Sequence, residues 1–195
     1  HSRKISQKSF IELYKKGHIY QDEFPTIFCV NCQTPIAQAE LEDKPENCMF
    51  NTILFGCGKE KIKIATTRPE LIPACVAVFV NPKDKRYKKL IGKKAKVPLF
   101  DYEVPILADE SAEMDKGTGI LMICSYGDKF DVDAIRRKKL EPRITFEKDG
   151  ILNDLTGKYK GLKLKEARKE ILNDLKDVGL LEKQEQIEHS VNVHD

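Results

Sequence analysis

Residues 61–82, KIKIATTRPELIPACVAVFVNP, constrain the fold of this chain more than any other stretch. Two apolar runs are typical of strands, and the polar segment TTRPE at 66–70 separates them. A plain surface turn would more often use Gly, Asn or Asp there. Pro69 fits the first position of a helix, where its missing N–H costs nothing. The pattern predicts a strand, a short helix after Arg68 and a second strand.

The rest of the chain adds more strands and two clear helices. Short alternating strands dominate residues 50–105, GTGILMIC at 117–124 predicts a buried strand, and PRITF at 142–146 predicts another. Helical spacing is found in KFDVDAIRRKKL at 129–140 and in KLKEARKEILNDLKDVG at 163–179. We therefore expect an α+β fold with a barrel-like β core and flanking helices.

Composition limits the class of protein. Apolar residues make up 41% of the 195 residues and charged residues 33%, which indicates a folded rather than a disordered chain. Without a membrane-length apolar run or a secretory signal, we expect a cytoplasmic protein with no membrane partner. The net charge of +3 is too small to indicate nucleic-acid binding by itself. Lysines cluster at 83–96 and 158–169, as in a solvated helix face or in a surface that contacts phosphates.

The first part of the chain predicts a small unit. Residues 6–16 predict an amphipathic helix that ends at a glycine. A strand, a Cys-x-x-Cys turn and a second strand follow. Cys29 and Cys32 are half of a zinc site, because tetrahedral zinc needs four ligands. Cys48 and Cys57 have the wrong mutual spacing for a second turn of this kind, although they remain open as partners. The pattern therefore indicates half a zinc site and identifies no complete metal site.

Two acids at the start of a predicted helix could carry chemistry. Asp128 and Asp131 are three residues apart, so both lie on one face at the N-terminal end, whereas Asp133 points elsewhere. Helix capping is a common role for such acids. The functional alternative is a pair that receives an ammonium group or orders water. Similarly, the helix start after Arg68 could bind a developing oxyanion, although this segment taken alone favours ordinary capping by threonine.

Nucleophilic catalysis has weak support in the sequence. The four histidines lie near the two ends of the chain, far in sequence from Thr66 and from Asp131. Cys124, near the end of a predicted strand, is interpreted as a packing residue rather than a nucleophile.

Several stretches together resemble the editing insertion of the valyl-tRNA synthetases, in its archaeal-type form. They are ATTRPE, AVFVNPKDKRYKKLIGKKAKVPLF, VPILADE, GTGILMICSYGDKFDV and HSVNVHD. ISQKSFIELYKKGHIY and CVNCQTPIAQAELE are similar to the segment that leads into this insertion. The isoleucyl and leucyl relatives share the fold but usually differ at TTRPE. The resemblance implies a connecting unit at 1–45, an editing domain at 46–185 and a return strand at 186–195 toward the rest of the synthetase.

The resemblance implies an aminoacyl-tRNA ester hydrolase that needs no cofactor for editing. Its expected partners are the 3′ end of the tRNA for valine with threonine attached, and the rest of the synthetase chain. Two alternatives remain: the same fold acting on valine attached to the tRNA for isoleucine, and an RNA-binding unit without activity.

The resemblance also implies roles for single residues. Asp131 would bind the α-ammonium group of the substrate, and Asp128 the threonine hydroxyl or a water molecule. Water attacks the ester, and no covalent intermediate is expected. Met122 and Cys124 stand where bacterial members have a lysine and a threonine. The expected catalytic residues are Asp131, Asp128 and Thr67, and the expected substrate-binding residues are Thr66, Arg68, Thr118, Gly119, Met122 and Cys124.

Overall fold

The structure is a computed structural model that describes residues 2–193. Within this range the α-helices are α1 (Ser2–Lys15), α2 (Lys129–Lys138) and α3 (Leu164–Asp177). The strands are β1 (Phe28–Cys29), β2 (Thr34–Pro35), β3 (Glu42–Cys57), β4 (Glu60–Thr66), β5 (Cys75–Val80), β6 (Lys94–Lys96), β7 (Glu103–Ala108), β8 (Ile120–Cys124) and β9 (Leu181–Val193). Short 3-10 helices lie at Gln38–Glu40, Pro69–Ala74, Lys88–Leu90 and Asp154–Tyr159.

One curled sheet organises the molecule. Its strands follow the order β4-β3-β6-β7-β5-β8, and β9 pairs with β3 outside this path. Strands β5 and β7 are parallel, and the other pairs are antiparallel. The two end strands, β4 and β8, contact each other, so the sheet closes into a half-barrel. The predicted α+β fold with a barrel-like core is confirmed.

The core lies inside this half-barrel and under α3. In β4 the alternation places Ile62 and Ile64 inward and the intervening lysine outward. Helix α3 covers the core with Ala167, Ile171 and Leu175, which are all buried. A second apolar cluster, formed with Ala77, Phe79, Ala112, Ile123, Ala134 and Ile135, fixes α2 against β5 and β8. The packing of α2 on β8 is what brings the start of this helix to the end of the strand.

Strands β3 and β9 form a long ribbon that leaves the core. They pair from Glu42 opposite Val193 to Ile53 opposite Leu181, and most side chains of β9 are exposed. The predicted unit boundaries, after residues 45 and 185, lie inside these strands, and the division into units stays a prediction. Of the predicted return strand, residues 186–193 belong to β9, and His194 and Asp195 lie outside the described residues.

Helix α1 confirms the predicted amphipathic helix, but none of its residues is buried. Its apolar side chains, including Phe10 at 57% exposure, face solvent. After it, β1 and β2 pair around a turn that contains Cys32, and Cys29 is the last residue of β1. No helix among residues 2–193 is long and apolar enough to span a membrane.

The strand predicted at residues 142–146 is wrong. Only Phe146 makes a β-bridge there, with Leu152. Pro142 has no N–H to donate to a strand partner. The backbone N–H of Arg143 donates instead to the Ser125 hydroxyl, and its guanidinium donates to the carbonyl oxygen of Pro73. The apolar residues of this segment therefore belong to a loop that side chains fix in place.

Candidate functional site

Strand β4 ends at Thr66 and the chain turns there into the 3-10 helix Pro69–Ala74, as the sequence predicts. The Thr66 hydroxyl accepts a hydrogen bond from the backbone N–H of Arg68 at 3.0 Å, which fixes the turn. Thr67 is half-buried, and its hydroxyl bonds to none of the residues that the structure describes. The turn therefore uses the Thr66 hydroxyl for structure, and the expected catalytic role of Thr67 stays a prediction.

The buried side-chain amide of Asn51 also stabilises this turn, and it was not identified from the sequence. Asn51 of β3 is 1% exposed, and its amide nitrogen donates to the carbonyl oxygen of Thr66 at 3.2 Å. Gln184 of β9 donates to the Asn51 side-chain oxygen at 2.7 Å. Asn51 and Gln184 are 133 residues apart in sequence, so no local pattern could indicate this contact.

The start of α2 contains the two predicted acids. Asp128 is the N-cap, and its Oδ1 accepts from the backbone N–H of Asp131 at 2.9 Å, while Asp131 Oδ2 accepts from the N–H of Asp128 at 3.2 Å. This is a reciprocal capping box, so the capping interpretation is confirmed. Asp131 does more than cap, because its Oδ1 also accepts from the backbone N–H of Cys124 at 3.1 Å. Asp133 is exposed on another face of the helix.

The carboxyl of Asp131 is 8% exposed and has an unusual pKa. Burial raises this pKa to about 7, and the nearby carboxylate of Asp128 adds to the increase. The hydrogen bonds from two backbone N–H groups and the positive charge of Arg68 oppose it without cancelling it. A carboxyl group that changes charge near neutral pH can bind a cation or exchange a proton under working conditions.

Arg68 joins the end of β4 to the start of α2. Its Nη1 donates to the carbonyl oxygen of Gly127 at 2.5 Å. Gly127 packs closely on Asp131, since a Cβ atom at Gly127 would lie 2.2 Å from the Asp131 Oδ2 atom. The strand-end segment and the two acids, which are about sixty residues apart in sequence, therefore form one site.

The loop with Gly117 and Thr118 lies beside the same strand end. Gly117 has φ of +58°, and a Cβ there would meet Phe50 at 3.0 Å and Ala65 at 3.3 Å. Because Ala65 precedes Thr66, this close approach puts the loop at the edge of the site. Thr118 is half-buried, and its carbonyl oxygen accepts from the Tyr87 hydroxyl at 3.0 Å.

A glycine at position 119 makes room for the side chain of Arg86. It has φ of +82°, and a Cβ there would lie 2.6 Å from an Nη2 atom of Arg86. The same nitrogen donates to the carbonyl oxygen of Met114 at 2.7 Å and to Asp84 at 2.6 Å. The absence of a side chain at Gly119 thus lets Arg86 fix the loop, and direct binding of substrate by Gly119 stays a prediction.

Met122 and Cys124 lie on β8. Met122 is half-buried and packs against the main core. Cys124 is buried opposite Cys75 of β5, and burial, together with Cys75 and Asp131 nearby, raises the pKa of its thiol. A protonated, buried thiol is a poor nucleophile, in agreement with the packing role that the sequence indicates. Cys124 contacts the site through its backbone N–H, which donates a hydrogen bond to Asp131. Substrate binding by the side chains of Met122 and Cys124 stays a prediction.

The cysteines of the first hairpin lie apart from this site. The Cys29 sulfur accepts from the backbone N–H of Cys32 at 3.4 Å, a contact that lowers the pKa of the Cys29 thiol. Cys48 is half-buried on β3, and Cys57 is buried at the end of that strand. Within residues 2–193, no three His, Cys, Asp or Glu side chains cluster closely enough to bind a metal ion.

Comparisons with known proteins identify relatives of this chain. No family model matches the chain. It is 50% identical over 192 residues to the valine–tRNA ligase of Methanocaldococcus jannaschii, a match that covers 97% of the chain and 22% of that enzyme. The valine–tRNA ligase of Thermoplasma volcanium is 45% identical over 194 residues, 100% of the chain and 25% of the enzyme. That of Pyrococcus horikoshii is 48% identical over 190 residues, 96% of the chain and 21% of the enzyme.

The chain is homologous to one segment of the valine–tRNA ligases. It spans between a fifth and a quarter of the length of the curated relatives it matches. The family resemblance that the sequence motifs indicate is thereby confirmed for the chain as a whole. The roles of single site residues stay predictions, because sequence identity across the chain does not test them.

Proposed function

We propose that this segment hydrolyses the ester that joins threonine to the tRNA for valine, as the editing site of a valine–tRNA ligase. The observation that carries the proposal is the carboxyl of Asp131, which is nearly buried, has a pKa raised to about 7 by burial, and lies beside the TTRPE segment. The names of the relatives support valine as the amino acid that the larger enzyme attaches.

The need for such a site follows from the substrates. Valine and threonine are nearly the same size, and an apolar pocket rejects the extra hydroxyl of threonine by only about a hundredfold. A second site can select threonine over valine by forming hydrogen bonds to that hydroxyl. Valine would then leave buried polar groups unpaired, which costs about 1–3 kcal/mol per group.

The proposed mechanism uses water as the nucleophile. The Asp131 carboxylate, whose two oxygens are fixed by the N–H groups of Cys124 and Asp128, receives the α-ammonium group. This contact requires the ionised form of Asp131, and an ammonium group nearby would favour that form. Asp128 uses one oxygen for capping, and the other binds the substrate hydroxyl or the attacking water.

The proposed bond changes then balance without a covalent intermediate. Water adds to the ester carbonyl carbon, the bond between this carbon and the ribose oxygen breaks, and the ribose oxygen takes a proton from the water. The products are free threonine and a tRNA with its terminal hydroxyl restored. Thr67 and Arg68 line the site where the carbonyl and the terminal nucleotide would lie, with the Arg68 side chain 42% exposed.

A deacylation assay tests this proposal against both alternatives. The chain, and a full-length valine–tRNA ligase that carries it, are incubated with tRNA for valine charged with threonine or with valine, and with tRNA for isoleucine charged with valine. We expect hydrolysis of the threonyl ester only. Faster hydrolysis of valine on the tRNA for isoleucine would favour that editing reaction, and tRNA binding without hydrolysis of any ester would indicate an RNA-binding unit.

A further inference from the structure

A buried carboxylate lies directly behind the TTRPE turn. Glu70, in the first turn of the 3-10 helix Pro69–Ala74, has a side chain that is only 2% exposed. Arg168 of α3 binds it with two hydrogen bonds, from Nε to Oε2 at 2.8 Å and from Nη2 to Oε1 at 2.6 Å. Glu70 and Arg168 are 98 residues apart in sequence, and their ion pair is one of the contacts by which α3 packs on the 3-10 helix.

A second guanidinium reaches the same carboxylate. The Nε of Arg68 lies 3.5 Å from the Glu70 Oε1 atom, a longer contact than either bond from Arg168. The Nη1 of Arg68 donates to the carbonyl oxygen of Gly127 at 2.5 Å. Arg68 therefore lies between Glu70 on one side and the start of α2 on the other.

We propose that Arg168 is a positioning residue: by making both hydrogen bonds to the Glu70 carboxylate, it keeps Arg68 directed toward Gly127 in the site. The expected effect of Arg168 on hydrolysis rests on the proposed function, whereas its effect on the orientation of Arg68 does not. A carboxylate forms its strongest hydrogen bonds with one bidentate guanidinium, and Arg168 supplies that guanidinium to Glu70. If Arg168 leaves it, the buried Glu70 carboxylate retains only the long contact to Arg68, which is the neighbouring cation. Arg68 then turns toward Glu70 and away from Gly127.

A purely structural role explains this pair less well. Helix α3 already packs through Ala167, Ile171 and Leu175, which are fully buried. The Arg168 side chain is 45% exposed, and an ion pair with a solvent-exposed partner usually adds little stability. The arrangement of two arginines around one carboxylate instead orients the Arg68 side chain toward Gly127, and this side chain is partly exposed.

The substitution Arg168→Lys tests the proposal. Lysine retains the positive charge next to Glu70 but cannot make the bidentate contact, so the fold is kept while one carboxylate oxygen becomes available to Arg68. Arg137→Lys is the matched control, because Arg137 also pairs with a carboxylate that is 2% exposed, Asp109, at 3.2 Å.

The first measurement is independent of catalysis. In the chain labelled with ¹⁵N-arginine, the Nε–Hε signal of Arg68, assigned by its loss in Arg68→Lys, should shift in Arg168→Lys and stay in place in Arg137→Lys. An Arg68 signal that is the same in Arg168→Lys as in the wild type would overturn the proposal. Because this measurement needs no substrate, it still decides the matter if the chain proves to hydrolyse no ester and the proposed function fails.

The second measurement is a double-mutant cycle on hydrolysis of the threonyl ester by the full-length enzyme. Arg168→Lys should lower kcat/KM by roughly fivefold in the wild type. In the Arg68→Met background it should change kcat/KM by less than about twofold, because there is no longer an arginine to misplace. An equal loss in both backgrounds would mean that Arg168 acts on the fold and not through Arg68.

Discussion

Arg68 donates a hydrogen bond to the carbonyl oxygen of Gly127 at 2.5 Å, across 59 residues of sequence. This contact unites the end of β4 with the start of α2, and it orients a partly exposed guanidinium beside the two acids. The site is therefore assembled by one side chain that bridges two segments, each of which is fixed locally by its own turn or cap.

The first prediction concerns Arg68 itself. Arg68→Met removes the bond to Gly127 and the proposed charge-assisted contact to the substrate, and hydrogen bonds of charged groups are each worth about 1.5–3 kcal/mol. We expect kcat/KM for threonyl-ester hydrolysis to fall by at least roughly tenfold, while circular dichroism of the chain stays unchanged. Arg136→Met is the control and should retain activity, because Arg136 is an exposed arginine on α2 whose guanidinium lies over the ring of Phe24.

The pH dependence of hydrolysis should follow Asp131. Because its pKa is raised to about 7 by burial and by Asp128, the ionised form that binds ammonium appears only as the pH rises through 7. After subtraction of the uncatalysed reaction, activity should therefore increase through this range. Asp128→Asn removes the neighbouring negative charge, so the midpoint should move to lower pH. A midpoint that moves to higher pH, or does not move, would contradict this assignment.

Stability should depend on pH through the same group. The pKa of Asp131 is about 7 in the folded chain against an ordinary value of 3.8, so the folded chain binds this proton more tightly. Its contribution to the free energy of unfolding is complete below the ordinary value and is lost as the pH rises to about 7. The difference between wild type and Asp131→Ala should shrink by at most about 1.4 kcal/mol per pH unit in this window. Urea unfolding at several pH values measures it, and a difference that grows with pH would refute the burial argument.

Gly127 should tolerate no side chain. A Cβ there would lie 2.2 Å from the Asp131 Oδ2 atom and 3.2 Å from Leu71, so Gly127→Ala must displace Asp131. We expect a loss of about 1–3 kcal/mol in the free energy of unfolding, together with reduced hydrolysis. Gly56→Ala is the control, since its Cβ would meet only Lys96, at an ordinary 3.4 Å. Equal stability of the two variants would contradict the close packing at Gly127.

Local patterns explain which parts of the molecule could be predicted. The apolar run at 61–65 predicted the strand β4, and Pro69 marked the start of a short helix. The spacing of Asp128 and Asp131 indicated that they share the start of α2, and the structure adds that each caps the other.

The contacts that complete the site could not be predicted in this way. Asn51, Gly127 and Arg168 each meet their partners only after the sheet curls and α3 packs on it. Gly in a loop and Arg on a partly exposed helix face are ordinary, and although Asn is uncommon in strands, nothing near Asn51 in sequence indicates its partner Gln184. The wrong strand at residues 142–146 has a similar cause, because the backbone N–H of Arg143 bonds to Ser125 and not to a neighbouring strand.

The most direct test of the account compares two aspartates on the same helix. Asp131 is 8% exposed and accepts hydrogen bonds from Cys124 and Asp128, whereas Asp133 is exposed on another face. In a full-length valine–tRNA ligase that carries this segment, Asp131→Ala should cut deacylation of threonyl-tRNA for valine by at least roughly tenfold, and Asp133→Ala should leave it within about twofold of wild type. Wild-type deacylation by Asp131→Ala, or an equal loss in Asp133→Ala, would contradict the account.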